Sequence, residues 1–177
     1  MDIVYRGDSS FEINGERTIA INPRNGSRAD VVLHTARQKK PAGVVNGPGE
    51  YDIAGVLIVT LEKGSRESST LAHSLIVDDL SVVHLGDTTH ELSDRDVASI
   101  GRVDVLIVNA DDARKAQAAV ADLEPRVVIP FGAAAPQVCA SLGVKSPEDQ
   151  PRFSWSRNRV LPRAVLLKPV STRARAA

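Results

Sequence analysis

Short apolar runs dominate the first third of the chain. Residues 2–5, 10–13, 18–21 and 29–33 are rich in Ile and Val and are separated by turn residues. Between the second and third lies Asn14-Gly15, a hairpin signal because both residues tolerate positive φ. The pattern predicts a meander forming one side of a sheet. Residues 34–41 are polar and basic and read as a loop. Residues 42–45 read as a brief strand, 46–51 as a compact turn built on Gly47, Pro48 and Gly49, and 56–61 as a further strand. A charged, Ser-rich surface loop over 62–70 follows. Strands at 74–77 and 80–84 flank a tight turn at Asp78-Asp79.

The second half alternates. Ser93 with Asp96 three residues on has the form of a capping box, predicting a helix over 94–100 that stops at Gly101. Residues 103–108 are almost uninterrupted branched apolar residues, as in a strand buried on both faces. Asp111-Asp112 offers an N-cap for a helix over 113–123 that turns Ala116, Val120 and Leu123 to one side. A strand at 127–129, a short helix at 136–142 capped by Gly143, and final strands at 153–155 and 164–167 complete the reading. Strands first and then strands alternating with helices imply sheets covered by helices. No repeat or linker divides the 177 residues, so one domain is expected over 1–170, with a flexible basic tail at 171–177.

Composition removes several function classes. Lys+Arg and Asp+Glu number 22 each, so no net field favours nucleic acid or an anionic membrane. Aromatic residues are 3%, which argues against base-stacking platforms and leaves the core to Val, Ile, Leu and Ala. Cys139 is the only cysteine, so neither an internal disulfide nor a cysteine-based zinc cluster is possible; it is expected to be a small core residue in the 136–142 helix. The opening residues lack a basic-then-apolar signal pattern, and the longest uncharged run, 127–144, is broken by Pro130, Gly132, Pro136 and Gly143. A cytoplasmic protein is the expectation.

The stretch with most chemistry is His84-Leu85-Gly86-Asp87-Thr88-Thr89-His90. It places two imidazoles and a carboxylate where a strand gives way to a loop. Histidine and aspartate serve as metal ligands and as acid–base groups. The plainer alternative is a turn with a buried, hydrogen-bonded histidine. No G-x-S-x-G elbow accompanies Ser9-Ser10, and no glycine-rich phosphate loop is present.

Several stretches, in order, resemble a known family. They are Gly7-Asp8-Ser9-Ser10-Phe11, Thr18-Ile19-Ala20-Ile21-Asn22-Pro23, Ala29-Asp30-Val31-Val32-Leu33-His34, Asn46-Gly47-Pro48-Gly49-Glu50-Tyr51-Asp52-Ile53-Ala54-Gly55-Val56, His84-Leu85-Gly86-Asp87, Val103-Asp104-Val105-Leu106-Ile107-Val108 and Val127-Val128-Ile129-Pro130. Together they resemble the metallo-β-lactamase superfamily, and within it the metal-dependent hydrolases related to ascorbate-6-phosphate lactonase. The resemblance implies an α/β fold: an αββα sandwich of two facing mixed sheets, somewhat reduced here. It also implies a site in the loops at the strand ends. Members hold one or two divalent metals, usually zinc, through an H-x-H-x-D-H loop, a further histidine, the aspartate of His-x-Gly-Asp and a late histidine. The metal lowers the pKa of bound water and polarises the scissile bond.

Carried over residue by residue, the motif is largely missing. One alignment puts Ala36, Gln38 and Lys40 at the His, His and Asp positions; another puts His34 at the first histidine. Asp87 matches the aspartate ligand, and Gly132 stands where the late histidine is expected. The remnant-site candidates are therefore His34, Asp87, His90 and Gly132. The expectation is no catalytic residue, no complete metal site and no cofactor, with zinc or manganese held weakly by His34 and Asp87 as the alternative. The corresponding function is a binding, regulatory or structural module whose partner is an unknown small molecule or protein. The alternative is a hydrolase with a rearranged site around His34, Asp87 and His90. Oligomeric state is left open.

Overall fold

The computed structural model describes residues 1–24, 27–36, 45, 47–64, 69–86, 91–144, 150–155 and 160–170. Two mixed sheets face each other. One has five strands in the order β11-β1-β2-β3-β4, with β1 Asp2–Gly7, β2 Ser10–Asn14, β3 Thr18–Ile21, β4 Val31–Leu33 and β11 Phe153–Ser154. The other has six in the order β10-β9-β8-β7-β6-β5, with β5 Gly49–Ile53, β6 Val56–Lys63, β7 Thr70–Val77, β8 Leu80–His84, β9 Val105–Asn109 and β10 Val127–Phe131. The expected meander holds for β1 to β3; β4 then pairs parallel with β3, so the chain crosses over rather than turning back.

Side-chain alternation builds the core. Ile3, Phe11, Ile13, Ile19, Ile21, Val31 and Leu33 from the first sheet meet Val56, Ile58, Leu75, Val77, Val82, Val105, Ile107 and Ile129 from the second. Branched aliphatics supply nearly all of this interface, as the low aromatic content requires. A second cluster lies on the other side of the six-stranded sheet. There α1 Asp94–Ile100, α2 Ala113–Leu123 and α3 Ala135–Ser141 cover Val83, Leu106, Val108 and Val128. β8, β9 and β10, sandwiched between these two clusters, have near-continuous apolar runs because both of their faces are buried. The reduction of the sandwich falls on one layer: among the described residues no helix covers the outer side of the five-stranded sheet.

Local chemistry explains where elements begin and end. Ser93 accepts from Asp96 N while Asp96 accepts from Ser93 N, closing the capping box of α1, and Lys63 also bonds Asp96. Asp112 caps α2, and Ala116, Val120 and Leu123 are its buried face, as the periodicity predicts. Asp78 and Asp79 both have positive φ, which matches the twist of a tight β7–β8 hairpin. Three expectations differ. The Gly49-Glu50-Tyr51 segment belongs to strand β5, because Ala54-Gly55 makes a hairpin that pairs it with β6. Strand β7 begins four residues earlier than predicted, placing His73 mid-strand. Residues 164–167 form isolated bridges, Val128 with Ala164 and Gln150 with Leu167, rather than a strand.

At the end of the sandwich remote from the His84 loop, Asp104 is a buried carboxylate, 2% exposed. It accepts from Ser81 N at 3.1 Å and from Arg102 and Arg126 at 2.8 and 3.3 Å, and Arg126 also lies over the Trp155 ring. Burial alone would raise its pKa; the Ser81 N–H and the two guanidinium groups outweigh that and hold it below the ordinary 3.8. Its stabilisation is therefore complete above that value and lost as pH falls through the lower folded one. Asp104→Ala is expected to destabilise the fold by about 1–3 kcal/mol, since it leaves the Ser81 N–H buried without a partner. Urea unfolding at neutral pH measures this.

Candidate functional site

A polar row closes one end of the inter-sheet core. Thr60, His73 and His84 are cross-strand partners on β6, β7 and β8, all pointing inward and all buried. His73 Nε2 lies 3.0 Å from the His34 carbonyl, which can only accept, so Nε2 carries the proton and Nδ1 accepts from the Thr60 hydroxyl at 3.0 Å. Burial lowers its pKa to about 4; the His34 carbonyl opposes this and the nearby His34 ring adds to it. His73 is thus a neutral strut between the sheet and the loop after β4, with both nitrogens engaged.

His84 is fully buried between Phe11 and Phe131, at ring-centroid distances of 5.4 and 5.7 Å. Its Nδ1 accepts from Gly86 N at 2.9 Å, so Nε2 bears the hydrogen, and that group has no hydrogen-bond partner among the described residues. Burial, then the neighbouring His73, push its pKa down to about 3; the Ser9 carbonyl favours the protonated ring without closing a hydrogen bond. The expectation of a buried, satisfied imidazole at 84 is met on one nitrogen only.

The loops that should carry the site converge on this row. His34 directly follows β4, and burial lowers the pKa of its ring. Thr35 receives Leu71 N at 2.7 Å on its carbonyl. Gly86, at φ 70°, lies so close to this segment that a Cβ there would stand 2.8 Å from the Leu71 carbonyl and 3.1 Å from Thr35 Cβ. Asp87 and His90, which follow Gly86 in the chain, lie outside the described residues, as do residues 37–41 of the basic loop and 42–44 of the brief strand expected after it.

Two residues that were not among the site candidates, Asn22 and Asp111, organise the same end. Asn22, at φ 48°, donates to Ser9 Oγ at 2.9 Å and to Thr35 Oγ1 at 2.8 Å, and accepts from Thr35 N at 2.9 Å. Asp111 accepts from Ala133 N at 2.9 Å. Gly132, the fourth remnant-site candidate, follows β10 at φ 99°, and a Cβ there would lie 2.5 Å from Asp111 Oδ1. Asp111 therefore occupies the space a side chain at 132 would need. The sequence signals were an Asn-Pro pair in a loop and an aspartate beside an N-cap, both commonplace.

Metal chemistry needs several donors with free lone pairs on one point. Among the described residues no group of three or more His, Cys, Asp or Glu side chains converges in that way. His73 has given its lone pair to Thr60, His84 has given its to Gly86, and Gly132 offers none. The nitrogens of His73 and His84 that could accept are thus committed to Thr60 and Gly86. What the row does form is a neutral, internally bonded polar floor.

Comparison with known proteins places this geometry. The family model described as "Beta-lactamase superfamily domain" matches residues 2–132. A Thermotoga maritima protein of the metallo-β-lactamase superfamily, given a Zn-dependent hydrolase role by assignment only, is 21% identical, with 94% of this chain and 97% of that one covered at a TM-score of 0.80. The metallo-β-lactamase-fold protein YhfI from Bacillus subtilis is 11% identical over 97% and 98%, with a TM-score of 0.60. CmlA, a diiron β-hydroxylase from Streptomyces venezuelae, is 12% identical over 75% of this chain and 45% of that one, at 0.53. At these identities the likeness is one of fold. No curated protein matches the sequence.

Two outcomes test the polar floor. The unfolded chain takes up protons near pH 6.5 that folded His73 and His84 refuse until about 4 and about 3. Stability should fall as pH drops below 6.5, by up to about 1.4 kcal/mol per pH unit for each histidine. Urea midpoints between pH 7 and pH 5 should show a shallower slope in His73→Gln than in the native chain. Gly132→Ala should cost about 1–3 kcal/mol from backbone strain alone, and more from the Asp111 contact. Adding Asp111→Gly should recover only the contact part, as thermal unfolding of the single and double variants will register.

Proposed function

The chain belongs to the β-lactamase superfamily domain family, and from that premise we propose that it works without a complete catalytic metal site, as a binding, regulatory or structural module. The observation that carries this reading is the commitment of this end of the sandwich to its own bonding. The histidine nitrogens at 73 and 84 that could ligate are already acceptors, and Asp111 fills the side-chain space at 132. Motif positions in the sequence agree: the stretch after Leu33 has no paired histidines, and it carries Lys39 and Lys40, whose charge is adverse to a cation. Descent from the branch related to ascorbate-6-phosphate lactonase is part of the proposal, supported by the Gly47-Pro48-Gly49-Glu50-Tyr51 and His84-Leu85-Gly86-Asp87 stretches.

The ligand in this reading is a small molecule or a protein, and neither nucleic acid nor a membrane. Balanced charge supports the first exclusion. For the second, no described helix is long and apolar enough to cross a bilayer. A cytoplasmic location is proposed on the same grounds.

One observation favours a second reading, a hydrolase with a rearranged site around His34, Asp87 and His90. Gly86, which precedes Asp87 in the chain, lies close to Thr35, which follows His34. Zinc or manganese, weakly held, would supply an activated water in that case.

The two readings separate cleanly. Under the proposal, protein purified without added metal carries well under one zinc per chain. Its thermal midpoint is the same with and without chelator, since no binding energy is coupled to folding. Zinc that survives dialysis at one per chain would sink the proposal. In a hydrolysis assay with zinc or manganese, lactone and phosphodiester substrates should not turn over. Turnover by the native chain, abolished in a folded Asp87→Ala variant, would establish the hydrolase.

A further inference from the structure

One apolar patch of the six-stranded sheet is left outside the helical layer. Leu57 on β6 and Ile76 on β7 are directly paired across the strands and are 55% and 44% exposed. They point to the same side as Ala72 and Val83, which the helices cover nearer the other end of the sheet. Α1 reaches β6 near Lys63, through Asp96, six residues from Leu57.

The row containing this pair is polar at both ends, with opposite signs. Register runs from Asp52 on β5 to Leu57, Ile76 and Ser81. Beyond Ser81 comes Asp104, whose backbone N–H bonds the Ser81 carbonyl and whose carboxylate holds Arg102 and Arg126. The two arginine side chains are 74% and 53% exposed, and with Asp104 they make a cluster of one net positive charge. On the β5 side, Asp52 and Glu50 share the outer face and are both exposed. Neighbouring strands are about 4.8 Å apart, so Asp52 lies two strands to one side of Ile76 and the arginine cluster two strands to the other.

We infer that this face is where two copies of the chain associate, through a two-fold axis at the Leu57–Ile76 pair. A two-fold exchanges the ends of the row: Asp52 and Glu50 of each copy approach Arg102 and Arg126 of the other, while the apolar centres meet. The surface is self-complementary in charge, which singles out a second copy over an unrelated partner. Pairing through the free edge of β5 is disfavoured instead, since two antiparallel β5 strands would set Glu50 and Asp52 against their like-charged counterparts. The apolar centre is small, so the dimer is a weak, salt-sensitive one. The inference is independent of whether a metal binds.

Sedimentation of the whole chain from about 5 to about 500 µM tests it. The average mass should climb toward twice that of one chain, and added salt should shift the midpoint to higher concentration. Leu57→Asp and Asp52→Lys alter exposed positions, so their thermal midpoints should stay near the native value while association weakens at least tenfold. In a second measurement, Leu57→Cys should be joined into a covalent dimer by a bis-maleimide spanning about 10 Å, the spacing of packed sheets, whereas Val160→Cys, 94% exposed elsewhere, should not; Cys139 is buried and does not compete. A monomer throughout the range overturns the inference. So does a dimer indifferent to Leu57→Asp, or equal cross-linking at residues 57 and 160.

Discussion

The hydrogen bonds of His73 hold together the part of this molecule where function would reside. A sandwich of branched aliphatic side chains has no means of ending gracefully: its last inward-facing row must either be exposed or satisfy its own polarity. Here the row is Thr60, His73 and His84, and the imidazole of His73 turns that polarity outward to the His34 carbonyl. A carbonyl in the loop after β4 is thereby fixed relative to the six-stranded sheet, although that loop belongs to the other sheet. Asn22 repeats the device from the opposite side, bonding Thr35 with both ends of its amide. A buried polar group left without a partner costs about 1–3 kcal/mol, so these bonds specify one loop conformation rather than merely permitting it.

Where the chain's local chemistry decides the structure, the sequence was legible. The α1 capping box, the α2 face of Ala116, Val120 and Leu123, and the doubly buried β9 depend on nearby residues and on period alone. The resemblance to a family extended that reading to the two facing sheets, which no periodicity could supply. What escaped was decided by pairing. β5 is a strand only because Ala54-Gly55 folds it onto β6, overriding a Gly-Pro-Gly stretch that locally reads as a turn. His73 falls mid-strand because pairing with β6 carries β7 back to Thr70, past the Ser-rich stretch that reads as a loop.

The candidate site divides in the same way. That Gly132 is no ligand could be read directly, but that Asp111 stands in the space beside it could not, because the two are 21 residues apart and meet only through the crossover between β9 and β10. His84 could be placed on an apolar strand; that one nitrogen serves Gly86 and the other is left bare follows only from the turn geometry. His34 was identified by position, yet what the fold uses most is its backbone carbonyl, for which residue identity carries no signal.

These details bear on how a site of this kind could change its chemistry. A ligand position can be emptied by one substitution, but refilling it is harder once neighbours have taken its space and its hydrogen bonds. At 132 a side chain must contend with both a φ of 99° and the Asp111 carboxylate, which is itself held by Ala133 N. At 73 and 84 the lone pairs are already spent on Thr60 and Gly86, and protonating either ring works against its burial. On the proposed reading, each arrangement stabilises the fold where a metal would otherwise contribute binding energy. In the proposed module, then, stability and metal binding compete for the same atoms, and restoring donors one at a time would weaken the scaffold before enough of them converged to hold an ion.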